Sequence, residues 1–245
     1  MRLIPLVMLL TLAALPAAAD TVVLPAAADT TIYEHFDDSG NGGGEWFFAG
    51  VTNTGVVRRA LIRFDFSGLP PGTQIQSVSL QLGLSRGQGS NPTVGMHKIT
   101  QEWTEGGRNS DDQEGAPGLA LAGDATWRFR SFPTLEWTNL GGDFVPTASA
   151  TLTVPSPHPT PGVITNHTWA STAALVADVQ GWVNAPGTNF GWMLKSTEVT
   201  GRRSRRFNSR TNIEPPQLTV TFLAAPMFAD GFESGDTSGW SLTQN

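Results

Sequence analysis

The fold is decided by the segment Arg59-Ala60-Leu61-Ile62-Arg63-Phe64-Asp65-Phe66. Successive side chains of a β-strand point to opposite faces of a sheet, so the alternation along this segment separates two sets of residues. One face is predicted to pack in the core and holds Ala60, Ile62, Phe64 and Phe66. The other is predicted to be a charged outer face and holds Arg59, Leu61, Arg63 and Asp65. The segment therefore predicts a half-buried strand.

The residues that follow supply a turn and a return strand. Pro70-Pro71-Gly72 has the composition of a tight turn. The segment 77–84 then places an apolar side chain at every second position, namely Val78, Leu80, Leu82 and Leu84. Two alternating runs joined by a turn predict an antiparallel pair of strands.

Short runs of strand-forming residues, separated by turn residues, continue along the chain. They are 21–24, 31–35, 46–49, 93–99, 150–154, 190–195, 203–209 and 217–222. The segment 171–183 instead has helical spacing of its apolar residues, with Ser171 or Thr172 as the N-cap and Pro186-Gly187 after the end. The sequence therefore predicts an all-β antiparallel sandwich or jelly roll with one short amphipathic helix.

Both ends of the chain are predicted to lie outside the folded domain. Arg2, the apolar run 3–15 and the small residues up to Ala19 are typical of a secretory signal peptide, 1–19, cleaved before Asp20. We therefore expect a secreted, extracellular or cell-surface protein with its domain at 20–223. The tail 224–245 is acidic and aromatic. It is interpreted either as a sorting motif or as a frayed end with Trp240 loosely docked.

The composition excludes several classes of function. The 245 residues carry a net charge of −6, which argues against nucleic acid as a general partner. The chain has no cysteine, so thiol catalysis and thiolate metal sites are excluded. Its apolar runs are shorter than the roughly 20 residues of a membrane-spanning helix, so we expect no membrane span in the mature chain. The sequence carries no signal for an oligomeric state.

Several motifs recur in an order and spacing that extend from about residue 20 to 222. They are 39–44 with Phe48-Ala49-Gly50, 58–65 with its Leu-Pro-Pro-Gly turn, Trp103-Thr104-Glu105-Gly106, 123–127, 141–144, 179–182, 189–195 and 206–210. In this series the chain resembles the DNRLRE domains of secreted bacterial proteins, some of which form a family of carbohydrate-binding modules. The resemblance implies a jelly-roll-like sandwich that binds extracellular sugars. Thr211 stands where that family usually has a glutamate after Ser209-Arg210.

Oxygen-bearing side chains alternate in Asp37-x-Ser39-x-Asn41-Gly42, as at the start of a calcium loop. Phe48 stands where such a loop needs its bidentate glutamate, so Glu45 would have to replace it. A second ion could use Asp124 or Asp143. The alternative is a glycine-rich turn without metal. No cofactor is required by the sequence, and structural Ca²⁺ is the one candidate.

Three tryptophans lie in the loop-rich region between residues 100 and 161: Trp103, Trp127 and Trp137. Exposed indole rings in loops would stack on sugar rings, which makes these residues candidate ligand contacts. The alternative is that they fill the core of the sandwich. Trp182 and Trp192 occupy inward positions of predicted elements and are expected in the core.

Arginines form one basic cluster, 202–206, and they recur on the outer face of the first strand. Arg202 and Arg206 could continue Arg59 and Arg63 into a basic strip, and guanidinium groups suit the carboxylates or sulfates of acidic polysaccharides. The alternative is that these arginines pair with Asp65 and Glu198 across the sheet and protect an edge.

The sequence thus favours a non-catalytic, secreted binding module for extracellular or cell-surface polysaccharide. The main alternative is a structural surface or matrix protein with no soluble ligand. A polysaccharide hydrolase or lyase is a more distant alternative, because it would need paired carboxylates in a groove. The loop acids that could supply them, Glu102, Glu105, Asp111, Asp112 and Asp124, are as readily explained as solvated side chains.

Overall fold

A computed structural model describes residues 18–35, 38–110, 114, 118–157, 159–199, 201 and 203–224. The predicted signal peptide up to residue 17, Asp37, Arg202 and the tail from residue 225 lie outside the described residues. The strands are β1 (Ala19–Tyr33), β2 (Ser39–Gly40), β3 (Trp46–Val51), β4 (Val57–Phe64), β5 (Gln74–Gly87), β6 (Thr93–Lys98), β7 (Gly118–Leu119), β8 (Phe129–Ser131), β9 (Leu135–Glu136), β10 (Ala150–Thr153), β11 (Thr165–Trp169), β12 (Trp192–Ser196), β13 (Arg205–Asn208) and β14 (Gln217–Leu223).

The prediction of an all-β antiparallel sandwich is confirmed. In the first layer, β13 and β14 follow one another along one edge of β5, and β11 pairs with the other edge. The first half of β1 pairs with β14, and β3 pairs with β13. β3 also pairs with β4 through Gly50 and Val51, so it joins the two layers. In the second layer the order is β1, β4, β12, β6 and β10. All of these pairs are antiparallel.

Strand β1 belongs to both layers. Its first half pairs with β14 and its second half with β4, and the register shifts between Ala26 and Ala28 where it passes from one layer to the other. The prediction of two separate strands at 21–24 and 31–35 is therefore wrong. The alanine-rich segment between them is a β-bulge within a single strand, because a bulge bends a strand without ending it.

The helix α1 (Ala173–Asn184) lies close to its predicted position. The Thr172 hydroxyl accepts a hydrogen bond from the N–H of Leu175 at 3.1 Å and caps its first turn. A 3₁₀ turn, Pro186–Thr188, follows it. Leu175, Val179 and Trp182 are buried against the main core.

The main core lies between the two layers, and the inner face of the 59–66 segment is confirmed. Ala60, Ile62, Phe64 and Phe66 are all buried there, as are the alternating apolar residues of β5. Trp182 and Trp192 are also buried, with ring centroids 4.6 Å apart. The main core is therefore the one that the alternation predicts.

A second apolar core covers the opposite face of β4, where the sequence analysis expected a charged outer face. Its buried members are Ala28, Ile32, Leu61, Ile99, Trp103, Ala125, Trp127, Trp137 and Met193. Four of these residues come from β1, β4 and β12, and Ile99 directly follows β6. The loop region supplies Ala125 and the three tryptophans. The expectation of a solvent-facing outer side is wrong for Arg59 and Leu61, because the loop region that carries Trp103, Trp127 and Trp137 packs over β4.

Arg205 is fully buried and connects three segments. Its guanidinium donates to five backbone carbonyl oxygens, those of Gln88, Ser90, Val154, Pro155 and Ser204, at 2.9–3.3 Å. Burial lowers its pKa to about 10, so it remains charged at neutral pH. Gly87 pairs with Arg205, and a Cβ at residue 87 would lie 2.9 Å from the Arg205 Cδ. A larger residue would therefore crowd this side chain.

We expect Arg205→Met to lower the free energy of unfolding by about 2–4 kcal/mol, because it leaves buried carbonyl groups without a donor. Denaturant unfolding measures this change. The control is Arg128→Met, which removes an exposed pair with Glu136 at 2.7 Å and should cost less than about 1 kcal/mol. Equal effects of the two substitutions would contradict the role of Arg205.

Candidate functional site

The three tryptophans considered as ligand contacts lie in the second core. Trp103, Trp127 and Trp137 are 1%, 7% and 5% exposed. The Trp103 indole donates to the Phe190 carbonyl at 2.7 Å and the Trp137 indole to the Thr126 carbonyl at 3.0 Å. Their indole faces are thus taken up by packing, which is the alternative that the sequence left open. They do not form an exposed surface for a sugar ring.

Arg59 and Arg63 pack against these tryptophans. The Arg59 guanidinium lies 4.6 Å from the Trp127 ring, pairs with Glu198 at 2.7 Å and donates to the Gly141 carbonyl at 2.6 Å. The Arg63 guanidinium lies 5.5 Å from the Trp103 ring. For Arg59 the alternative of pairing with Glu198 is correct. Its side chain is only 13% exposed, so the proposed basic strip with Arg206 does not form on this face.

Three of the residues considered as calcium ligands, Asn41, Asp124 and Asp143, accept hydrogen bonds from within the protein. The Asn41 Oδ1 accepts from the Ser110 N–H at 2.9 Å. Asp124 accepts from the N–H groups of Gly107, Arg108 and Leu121, and Asp143 from the Thr138 N–H and the Asn139 amide. Ser39 is buried and Glu45 is exposed.

The side-chain oxygens that could bind calcium thus hold loops in place by accepting hydrogen bonds from them. Within the part of the chain that the structure describes, no group of three or more His, Cys, Asp or Glu side chains is arranged to hold a metal ion. A calcium ion that uses Asp37 stays a prediction, because that residue lies outside the described residues.

Three arginines instead meet in a cleft on the outer side of the first layer. This arginine cleft has a volume of about 260 Å³ and is lined by Phe48, Thr52, Asn53, Thr54, Arg58, Arg86, Gly87, Gln88, Ser204 and Arg206. None of these described lining residues is acidic. The cleft lies where β3, β13 and the end of β5 run side by side, next to the turn between β3 and β4.

A β-bulge in β5 places Arg86 in the cleft. Leu80, Leu82 and Leu84 face the core, so strict alternation would turn Arg86 inward as well. However, Arg206 pairs with Arg86 and Phe207 with Leu84, which leaves Ser85 as an extra residue. The bulge reverses the alternation, and Arg86 therefore lies on the outer face beside Arg206.

Aromatic rings and hydroxyl groups hold the arginine side chains of the cleft. The Arg206 guanidinium stacks 4.0 Å from the Trp46 ring centroid, and its Nε donates to the Ser85 Oγ at 2.9 Å. The Arg58 guanidinium lies 4.9 Å from the Phe48 ring and 5.7 Å from the Tyr33 ring. Planar groups stacked on rings are pre-oriented, so less side-chain entropy is lost when they bind a ligand.

The electrostatics of the cleft favour an anion. Burial and the positive charge of Arg86 lower the pKa of Arg206 to about 10, and the negative charge of Glu114 opposes this change. Burial also lowers the pKa of Arg58. Arg206 remains protonated at neutral pH. The buried Arg205 adds a fourth positive charge directly behind Gln88, and its hydrogen-bond partners are all carbonyl groups. A bound anion would reduce the repulsion among these charges.

Of the three arginines of the cleft, only Arg206 is predicted from the sequence as a binding residue, and its predicted partners Arg59 and Arg63 do not line the cleft. Arg58 was noted only as part of a motif, and Arg86 was missed. The adjacent Arg58 and Arg59 point to opposite faces, which a strand pattern can reveal. The position of Arg86 depends on a bulge that has no sequence signal of its own.

No protein-family model matches this chain, and no curated protein matches it. Within the described residues, no helix has the length and apolar character needed to cross a membrane.

A second charged cluster lies away from the cleft, around the buried carboxyl group of Asp29. Its Oδ2 accepts from the Arg210 N–H at 2.6 Å, and its own N–H donates to Glu105 at 2.8 Å. Glu105 forms a two-pronged ion pair with the Arg210 side chain. Burial raises the pKa of Asp29 to about 8, the Arg210 N–H opposes this, and the charges of Glu105 and Glu114 add to the rise. The cluster therefore joins β1, the loop at 105 and the segment after β13.

Asp29 makes the stability depend on pH. The folded protein binds the proton of this carboxyl more tightly than the unfolded chain, in which the pKa is 3.8. Its contribution to the free energy of unfolding is therefore complete below about pH 4 and is lost as the pH rises through 8. We expect Asp29→Asn to become more stable relative to the unmodified protein as the pH is raised from 5 to 9.

Denaturant unfolding at several pH values tests this prediction. The control is Asp65→Asn, because hydrogen bonds from Ser67 lower the pKa of the exposed Asp65 carboxyl and it does not titrate in this range. A difference between Asp29→Asn and the unmodified protein that stays constant with pH would show that Asp29 is not protonated in the folded state.

Proposed function

We propose that this protein is a secreted, non-catalytic module that binds carboxylate- or sulfate-bearing polysaccharide in the arginine cleft. The observation that carries the proposal is the convergence of Arg58, Arg86 and Arg206 on one open cleft, in which none of the lining residues that the structure describes is acidic. A guanidinium group presents several N–H donors in one plane, which matches the planar carboxylate and the oxygens of a sulfate.

The remaining lining residues suit a sugar. Thr52, Thr54 and Ser204 supply hydroxyl groups, and Asn53 and Gln88 supply amides. Such groups donate to and accept from sugar hydroxyls. Phe48 adds an apolar wall. Together they provide the few directional polar groups around an apolar surface that are usual in small-molecule sites.

The sequence adds independent support. Its N-terminal segment has the features of a signal peptide, and its motifs resemble those of the DNRLRE domains of secreted bacterial proteins. A local positive cleft on a chain of net charge −6 also favours a specific anionic site over general attraction to polyanions.

A purely structural role on the cell surface or in a matrix is the second candidate. It is favoured by the packing of the loop-region tryptophans into the second core, because loops of a sandwich that bind a ligand usually leave such rings exposed. This role predicts no soluble ligand. The two candidates therefore differ in one measurable property, binding to soluble polysaccharide.

Affinity electrophoresis against neutral and acidic polysaccharides tests the proposal. We expect retardation by acidic polymers, weakened by salt, and none by neutral polymers. Arg86→Gln and Arg206→Gln should each weaken binding by roughly 10- to 100-fold, because each removes a charge-assisted hydrogen bond.

The matched control is Arg128→Gln, which removes the same charge from an exposed arginine outside the cleft and should bind normally. No retardation by any polymer at low salt would overturn the proposal and favour the structural role. Equal loss of binding in all three variants would mean that net charge, and not the cleft, attracts the polymer.

A further inference from the structure

A second cavity borders the arginine cleft at Arg86 and Arg206. This proline cavity has a volume of about 290 Å³ and is lined by Ser85, Arg86, Pro157, Pro159, Thr160, Pro161, Gly162 and Arg206. Arg86 and Arg206 line both spaces. The two arginines therefore lie at the border that the two cavities share.

The sheet sets the direction of this arrangement. Phe48, Arg206 and Arg86 occupy paired positions on β3, β13 and β5, so they form a row across the strands. Neighbouring strands lie about 4.8 Å apart, so the row extends over about 10 Å. The turn at 52–54 borders one end of the row and the proline-containing segment borders the other. The positive charges lie in the middle.

The walls of the two cavities are held by the same side chain. Arg205 donates to the Gln88 carbonyl beside the arginine cleft and to the Val154 and Pro155 carbonyls. The latter residues lead into the segment that carries Pro157, Pro159 and Pro161. Proline has a fixed φ and little conformational freedom, so this wall needs little further ordering when a ligand binds. The two cavities are thus built as one unit.

The sizes of the cavities indicate a ligand larger than one small anion. Pockets for small organic ligands usually measure about 300–1,000 Å³, and each cavity alone lies at or below the lower end of that range. Only the two together match a ligand of several sugar rings. A single phosphate or sulfate ion would use the arginine pair and leave both flanking cavities without contacts.

We propose that the arginine cleft and the proline cavity form one groove that binds an interior stretch of a linear acidic polysaccharide. An anionic unit lies against Arg86 and Arg206, and the neighbouring sugar rings occupy the cavities on both sides. This inference rests on the proposed function and adds that the site recognises a chain segment, not a chain end or a single unit. Affinity then depends on chain length.

Calorimetric titration with two series of defined oligosaccharides, oligogalacturonates and heparin fragments, of two to eight units, tests the groove. For at least one series we expect affinity to rise at least tenfold from two units to six and then level off. Chemical reduction of the terminal sugar should change the affinity of the longest fragments less than twofold, because chain ends lie outside the groove.

Two substitutions separate the halves of the groove. Thr160→Trp partly fills the proline cavity. It should therefore lower the affinity for the six-unit fragment to that for the two-unit fragment, and it should leave the affinity for the two-unit fragment unchanged. Arg86→Gln should weaken both, because Arg86 lines both cavities. Thr134→Trp, at an exposed position outside the groove, is the control and should change neither.

The outcomes distinguish this inference from the proposed function. Arginine-dependent binding that does not vary with length, or that is insensitive to Thr160→Trp, would overturn the groove and leave the proposed function in place. Failure of every fragment in both series to bind the unmodified protein would overturn both.

Discussion

Strand β4 is packed on both faces, and the rest of the molecule is arranged around that constraint. Ala60, Ile62 and Phe64 lie in the core between the layers, while Leu61 lies in the second core on the opposite side. Each buried side chain of this size contributes roughly 1.5–3 kcal/mol from removal of apolar surface from water. Covering the outer face of β4 therefore stabilises the loop region that carries Trp103, Trp127 and Trp137.

This covering decides which arginines can meet a ligand. Arg59 and Arg63 lie on the covered face of β4, where Arg59 pairs with Glu198 and both pack against tryptophan rings. Arg58 lies on the other face of the same strand, next to β3 and the first layer. The candidate site therefore lies on the outer side of the first layer and not in the loops, and Arg86 and Arg206 complete it.

Local irregularities, and not the regular sheet, build the site. The extra residue Ser85 brings Arg86 beside Arg206, and its hydroxyl accepts a hydrogen bond from the Arg206 side chain. On the inner side of the same two strands, Gly87 leaves room for Arg205, whose guanidinium holds the surrounding loops. One bulge and one glycine therefore position both the charges and the walls of the cleft.

The regular parts of this fold could be predicted from sequence, because they depend on periodicity. The inner face of β4, the alternation in β5 and the capped helix α1 all follow from the spacing of apolar residues. The polar strand β11, Thr165–Trp169, has little such spacing and was missed. The single strand β1 was divided in two, because its bulge resembles a loop in composition.

The site was harder to predict than the fold, for two physical reasons. Burial of Trp103, Trp127 and Trp137 depends on how the loop region packs over the sheet, which is a tertiary property. The outward position of Arg86 depends on a register shift between two strands that are distant in sequence. Composition suggests that arginines and tryptophans contact a ligand. Only the three-dimensional arrangement shows that the tryptophans of the loop region lie in the second core, whereas Arg58, Arg86 and Arg206 line the cleft.

The central claim is that anionic ligands meet Arg86 and Arg206 and not the arginines of β4. The most direct measurement is NMR detection of the arginine Nε–H signals, assigned by substitution, during titration with an acidic oligosaccharide. The account predicts that the signals of Arg86 and Arg206 shift while those of Arg59 and Arg63 stay unchanged. Shifts confined to Arg59 and Arg63 would contradict it.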